Sequence, residues 1–142
     1  MYQRILLPID LAQDSSWTKA APVAVALAES SSAELHVMTV IPDMGMSIVG
    51  SYMPKEAEAQ AIEDAKVRLK AFLDENAPDN LVVKGHVAKG TVYQEIIKAA
   101  EALGCDLIVI ASHRPELQDY LLGPNAARVV RHATQSVHVV RN

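Results

Sequence analysis

Leu107-Ile108-Val109-Ile110-Ala111 is the most strand-like run in this chain, five apolar residues with no alternation. A strand that is apolar on both faces is covered on both faces, the environment of a parallel sheet layered with helices. The run therefore predicts a strand at the centre of such a sheet. Upstream, Gly104 reads as the stop of a helix that buries Ile96, Ile97 and Ala100, and Thr91 with Gln94 three residues on fits a capping box at its start. Downstream, Gly123-Pro124 opens a short helix, proline being preorganised for the first helical position, and Val137-His138-Val139-Val140 reads as a last strand.

The same alternation extends to the N-terminus. Ile5-Leu6-Leu7, stopping at Pro8 and Asp10, is strand 1, and a helix follows from about Ser16 to Ser30 with Ser15 or Ser16 available as its cap. Pro22 predicts a kink there or a late start near Ala20. Leu35 to Ile41 is strand 2, ended by Pro42, and the segment from Pro42 to Pro54 reads as a loop whose Met44, Met46 and Met53 fill gaps. Ala61, Ile62, Ala65, Leu69, Phe72 and Leu73 recur at helical spacing within a long amphipathic helix from Lys55 to about Asn76. Strand 3 runs from Leu81-Val82-Val83 through Val87, with Gly90 at the turn after it. Five strands with a helix in each gap imply right-handed crossovers, hence an α/β fold with a single doubly wound five-stranded parallel sheet and helices on both faces.

At 142 residues the chain has the size of one domain, residues 1–142, and its 50% hydrophobic and 21% charged composition is that of a globular protein. Thirteen Lys and Arg against seventeen Asp and Glu leave a net charge of −4, which argues against nucleic acid as a partner. A single cysteine, Cys105, allows no intramolecular disulfide and reads as a small buried residue. A lone cysteine and an N-terminus, Met1-Tyr2-Gln3-Arg4-Ile5, without the long apolar stretch of a signal peptide make the reducing cytoplasm the expected location, and no membrane partner is expected because no run reaches the about 18 apolar residues of a span. Neither a G-x-x-x-x-G-K-[ST] loop nor a G-x-G-x-x-G fingerprint is present, nor a G-x-S-x-G elbow or a clustered zinc spacing. Asp10 has no acidic neighbour with which to hold a metal. Ligands of doubly wound sheets bind beyond the carboxyl ends of the strands, where strand order reverses. With strands 1 and 4 flanking that reversal, the overhanging residues are Pro8-Ile9-Asp10 and Ala111-Ser112-His113-Arg114.

Ile110-Ala111-Ser112-His113-Arg114-Pro115, Tyr120-Leu121-Leu122-Gly123 and Val129-Val130-Arg131-His132-Ala133 closely resemble the C-terminal signature of the universal stress protein family, most of all its F and G types. Ile5-Leu6-Leu7-Pro8-Ile9-Asp10 and Thr39-Val40-Ile41-Pro42 match as well, so the resemblance spans nearly the whole chain. It implies the strand order 3-2-1-4-5 and a stress-response regulator that binds ATP or ADP, with or without Mg²⁺, and turns over little. It places the purine near Pro8, Ile9, Asp10 and Val40. The family's ribose and phosphate pattern, G-x-x-G, nine residues, then G-[ST], is altered: Ala111 and Arg114 stand at the first two glycines, eight residues intervene, and Gly123-Pro124-Asn125 replaces the glycine-hydroxyl pair. A serine at position 124 offers a hydroxyl and an N–H, and proline offers neither. The amides of Asn125 and Ala126 at the helix start and the Arg114 guanidinium are then the expected phosphate contacts, with Ser112 and His113 beside them.

Plainer readings stand beside these. Asp10 suits an Asx turn as well as a purine pocket, His113 has no acid or nucleophile spaced for proton transfer, and Gly123-Pro124 is explained by capping alone. No residue is expected to be catalytic. Strand 5, an edge in the 3-2-1-4-5 order, presents Val137, Val139 and Val140 as an adhesive row, and the family resemblance likewise implies a homodimer there, with or without pairing into tetramers. The alternatives are a dimeric interaction module of the same fold without nucleotide, for which Pro124 argues, and a slow ATPase or autophosphorylating protein.

Overall fold

The sheet is built outward from β1 (Arg4–Ile9), whose residues from Ile5 to Ile9 are all buried. The structure, a computed structural model, describes residues 1–42, 55–112 and 124–141. After a 3-10 turn at Asp14–Ser16, α1 (Ala20–Ser31) starts late, which puts Pro22 in the first turn, where its missing N–H has no intrahelical acceptor to lose. The helix lays Ala20, Ala21, Ala24 and Ala28 on the sheet, all small enough for close approach. It is not capped by Ser15 or Ser16: the cap position is Lys19, without a side-chain bond. Its other end closes at Ser32 in the left-handed conformation (φ 53°), with the N–H of Ala33 returned to the Ala28 carbonyl at 2.9 Å.

β2 (Glu34–Pro42) leads to α2 (Lys55–Asn76), whose apolar stripe buries Leu69 and Phe72 and half-buries Ala61, Ile62, Ala65 and Leu73. Next comes β3 (Val83–Gly90), two residues later than Leu81 and three beyond Val87, because β2 offers a partner at every step from Leu35↔Val83 to Pro42↔Gly90. Leu81 and Val82 are spent on the approach to it. At Gly85 a Cβ would sit 3.0 Å from Leu73 and 3.1 Å from Leu69, so the absent side chain lets α2 press on β3.

α3 (Val92–Leu103) does begin after Thr91, in an extended cap conformation, but the threonine hydroxyl makes no cap bond and Gln94 turns to the Tyr93 hydroxyl at 3.3 Å. The capping box of the sequence reading is not formed. The stop at Gly104 is: φ is 67°, its N–H bonds the Glu101 carbonyl, and Cys105 N–H bonds that of Ala100. β4 (Leu107–Ala111), α4 (Pro124–His132) and β5 (Ser136–Val140) complete the chain, with Pro124 at the first helical position.

All pairings are parallel and the order is β3-β2-β1-β4-β5. The centre expected for Leu107–Ala111 is taken by β1, and β4 lies beside it. Because side chains alternate along a strand, Ile5, Leu7, Leu35, Val37 and Val109 join α1 and α2 in one core layer, while Leu6, Met38, Ile108 and Ile110 join α3 and α4 in the other. Burying each such side chain stabilises the fold by roughly 1.5–3 kcal/mol relative to exposure.

Candidate functional site

The two neighbours of β1 leave it at different heights. Its register with β4 covers Ile5↔Leu107 and Leu6↔Ile108, whereas that with β2 continues to Ile9↔Thr39. Pro8 has no N–H to give a ladder, which suits a place where β1 and β4 part. β2 in turn outruns β1: its pairs with β3 extend to Pro42↔Gly90, so the β1-side edge of Val40 and Ile41 faces the space beyond Ile9. Strand order reverses here, and the crevice lies over the carboxyl ends of β2, β1 and β4. The fold gathers Pro8, Ile9, Asp10, Val40, Ala111 and Ser112 at this one edge.

Pro8 and Ile9 are buried, and the exposed Asp10 opens a loop held by its own hydrogen bonds. Its Oδ1 accepts the N–H of Ala12 at 2.9 Å, an Asx turn. Its own N–H donates to Ser16 Oγ at 2.8 Å, and that hydroxyl donates to the carbonyls of Gln13 (2.7 Å) and Asp10 (3.1 Å). From α2, Arg68 Nη2 donates to the Leu11 carbonyl at 2.8 Å, and Trp17 meets Phe72 edge-on with ring centroids 5.3 Å apart. Ser16 and Arg68 are site-shaping residues that sequence reading missed; a serine six places after a strand end and an arginine on a distant helix carry no local signal.

On the β4 side, Ala111 pairs with Val140 and the Ser112 N–H donates to the Val140 carbonyl at 2.9 Å. That amide is committed to the sheet. Ala111 and Ser112 are half-buried. His113, Arg114 and Gly123 lie outside the described residues. Of the α4 start, Pro124 is exposed, Asn125 half-buried and Ala126 buried. The first turn of α4 carries no acidic residue, and Arg131 and His132 occupy the last, so the positive end of its dipole is not neutralised from within the helix. One turn on, the Arg128 guanidinium lies 5.4 Å from the centroid of the Tyr93 ring, pinning α4 to α3.

Among the described residues no group of three or more His, Cys, Asp or Glu gathers to hold a metal, and no helix is long and apolar enough to cross a membrane. Cys105 is buried, its thiol pushed up to about 11 chiefly by desolvation, with Asp106 adding to the effect. A cavity of about 290 Å³ under α2, lined by Lys66, Leu69, Lys70, Leu73, Gly85 and Val87, lies at the β3 side of the sheet and not at the strand ends.

The family model described as the Universal stress protein family matches residues 1–141. This chain belongs to that family. Universal stress protein G of Shigella flexneri is 32% identical to it over 143 residues, covering 99% of this chain and all of the relative. The universal stress protein MJ0577 of Methanocaldococcus jannaschii is 30% identical over 87 residues, 61% of this chain and 54% of that one. Solved structures agree in fold: that of MJ0577 superposes with a TM-score of 0.77 at 26% identity, over 100% of this chain and 97% of that one. A universal stress protein in complex with cAMP superposes with a TM-score of 0.63 at 23% identity, over 99% and 97%. The five-stranded sheet with β1 and β4 at its reversal is thus the family architecture.

Proposed function

We propose that this universal stress protein is a cytoplasmic stress-response regulator that binds an adenine nucleotide, ATP or ADP, in the crevice at the carboxyl ends of β1 and β4, and turns it over little. The observation that carries the reading is the parting of the strands: β2 continues past Ile9, the last β1 residue paired to it, and leaves the β1-side backbone edge of Val40 and Ile41 without a strand partner among the described residues. Backbone donors and acceptors at that edge suit the hydrogen-bonding edge of a purine. Pro8, Ile9 and the Asx-turned Asp10 wall the base, and Ala111 and Ser112 floor the ribose. The amides of Asn125 and Ala126, at an end of α4 that carries no acidic residue in its first turn, are the proposed phosphate contacts, and His113, Arg114 and Gly123, outside the described residues, join them only by the family's sequence pattern. That one solved relative holds cAMP supports a nucleotide as the ligand class.

The test is direct. Protein purified without added nucleotide is denatured and the released small molecules are identified by mass spectrometry, and stripped protein is titrated calorimetrically with ATP, ADP and cAMP. Adenine nucleotide release and saturable heat are expected. Failure of both leaves the second reading, an interaction module of the same fold, which the exposed Pro124 at the first position of α4 favours.

A further inference from the structure

A chain of polar side chains runs across the sheet away from the crevice. His36 on β2 is 3% exposed, on the same strand face as Met38 and so within the α3 and α4 core layer. Its Nδ1 lies 2.9 Å from Nε2 of His86 on β3, and its Nε2 lies 3.1 Å from Oε1 of Glu34. The two imidazoles are inclined by only 19° with centroids 5.2 Å apart, which is the N···N distance plus the two ring radii. The rings therefore meet edge to edge along a nearly straight N–H···N bond and do not stack face on face. Glu34 is held ionised below its usual range, first by the hydrogen bond from His36 and then by Lys84 and Arg4, against desolvation. An ionised carboxylate only accepts, so His36 donates from Nε2; in the neutral ring its Nδ1 is then an acceptor, and His86 must donate from Nε2. In the neutral pair both histidines are therefore Nε2–H tautomers.

We propose that Glu34, His36 and His86 form a proton-operated latch, which fastens edge strand β3 to β2 while at most one imidazole is charged and releases it when both are. One proton delivered by hydronium, which leaves as water, occupies the remaining lone pair of the pair and keeps a single hydrogen between the facing nitrogens. A second leaves N–H opposed to N–H at a hydrogen-bond distance, two cations with no acceptor between them. Lys84 on β3 and Arg4 on β1, 3.8 Å and 3.7 Å from Glu34, oppose that second charge, and the carboxylates of Glu34 and of Asp106, which accepts the N–H groups of Gln3 and Arg4, act against them. Cys105, before β4, stays protonated, and α3 brings Ile96, Ala100 and Leu103, which carry no charge. Burial, His36 and Lys84 in that order also disfavour the charged form of His86. A metal ion does not fit this spacing, since two bonds of about 2.0–2.1 Å in a tetrahedral arrangement part the nitrogens further.

The test uses the intact protein and two readouts. Long-range ¹H–¹⁵N correlation of the imidazoles near neutral pH should show both rings as Nε2–H tautomers. Amide exchange of Lys84, His86 and Ala88, whose N–H groups alternate toward β2 in the parallel ladder, corrected for intrinsic rates, should report an opening equilibrium that rises by up to about tenfold per pH unit below about pH 6.5, as the opened strand binds one more proton than the closed one. In His86→Gln that slope should vanish, because the amide turns its N–H or its oxygen to whichever form of His36 it meets. A Nδ1–H tautomer at His36, a flat wild-type profile, or the same slope in His86→Gln overturns the latch; the wild-type readouts stand even where the variant fails to fold.

Discussion

Ser16 shows how one side chain sets the shape of the loop that follows β1. Its hydroxyl accepts from Asp10 N–H and donates back to two carbonyls of the same loop, so it holds Asp10 in place beside the crevice. Truncation leaves the Asp10 N–H short of its partner, while the Asp10 and Gln13 carbonyls keep the N–H groups of Gln13 and Ser16, so the cost is about 0.5–1.5 kcal/mol. Ser16→Ala is expected to weaken ATP binding by up to about tenfold in calorimetric titration, while the denaturation midpoint falls only modestly because Leu11 and Trp17 still pack the loop on the α1 and α2 layer. Pro124 works in the opposite sense. Pro124→Ser restores an N–H and a hydroxyl at the start of α4, and one regained hydrogen bond to a charged phosphate, about 1.5–3 kcal/mol, tightens binding roughly ten- to a hundredfold. Equal affinity of the two proteins in side-by-side titration removes Pro124 from the account. Neither effect was equally visible in the sequence: the missing donor of Pro124 is a property of the residue type, whereas the bonds of Ser16 exist only once the chain has turned back on itself.

Among elements, α1 and α3 end in the same way with different residues. Both close with a left-handed residue that returns the last amides to the final turn, Ser32 after α1 and Gly104 after α3. The left-handed region costs a residue with a Cβ roughly 1–2 kcal/mol, which Gly104 avoids and Ser32 does not. Ser32→Gly is therefore expected to raise stability, and Gly104→Ala to lower it, each by about 1 kcal/mol, read as opposite shifts of the urea midpoint at unchanged m-value. At Gly104 the added Cβ also meets Arg4 Nη1 at 3.3 Å. Helix ends were legible where glycine or proline punctuates them, as at Gly104 and Pro124. They were misread where a hydroxyl offered a cap the geometry declines, at Ser16 and at Thr91. The range of β3 was set by its partner: β2 supplies pairing sites through Pro42, and β3 extends to fill them although Lys89 and Gly90 carry no strand signal.

At the scale of the molecule, titration couples to stability from both sides of neutrality. Glu34 is depressed from its ordinary 4.5, so its contribution is present above that value and is lost as acid protonates it. His86 is depressed from 6.5, chiefly by burial: the unfolded chain takes up a proton first as pH falls below 6.5, and stability declines in the same direction. Cys105 is raised from 9.0 to about 11, so the unfolded chain loses its proton first and stability declines as pH rises between those values. A plateau of urea midpoints between pH 6.5 and 9.0, falling on either side, is the expected profile. The β5 edge carries a second expectation. Its valines do not form an outward row: Val137 and Val139 pack into the α3 and α4 layer and Val140 into the other, leaving Ser136 and His138 exposed. What β5 offers a second copy is its backbone edge, through which we propose the homodimer. Light scattering at tens of micromolar should return twice the chain mass of 15.4 kDa, and a monomer at that concentration refutes the interface.

The order of strands and helices, the apolar faces and the family were all present in the sequence, because burial on a parallel sheet demands unbroken apolar runs and helical stripes that show as local periodicity. The strand order 3-2-1-4-5 implied by the family resemblance holds, whereas where β1 parts from β4, and which hydroxyls and imidazoles meet, were decided only by the tertiary structure. Those features depend on contacts between residues far apart in the chain: Arg68 with Leu11, Ser112 with Val140, His36 with His86. No local pattern encodes such a meeting; it exists only when register and packing bring the partners within hydrogen-bond reach.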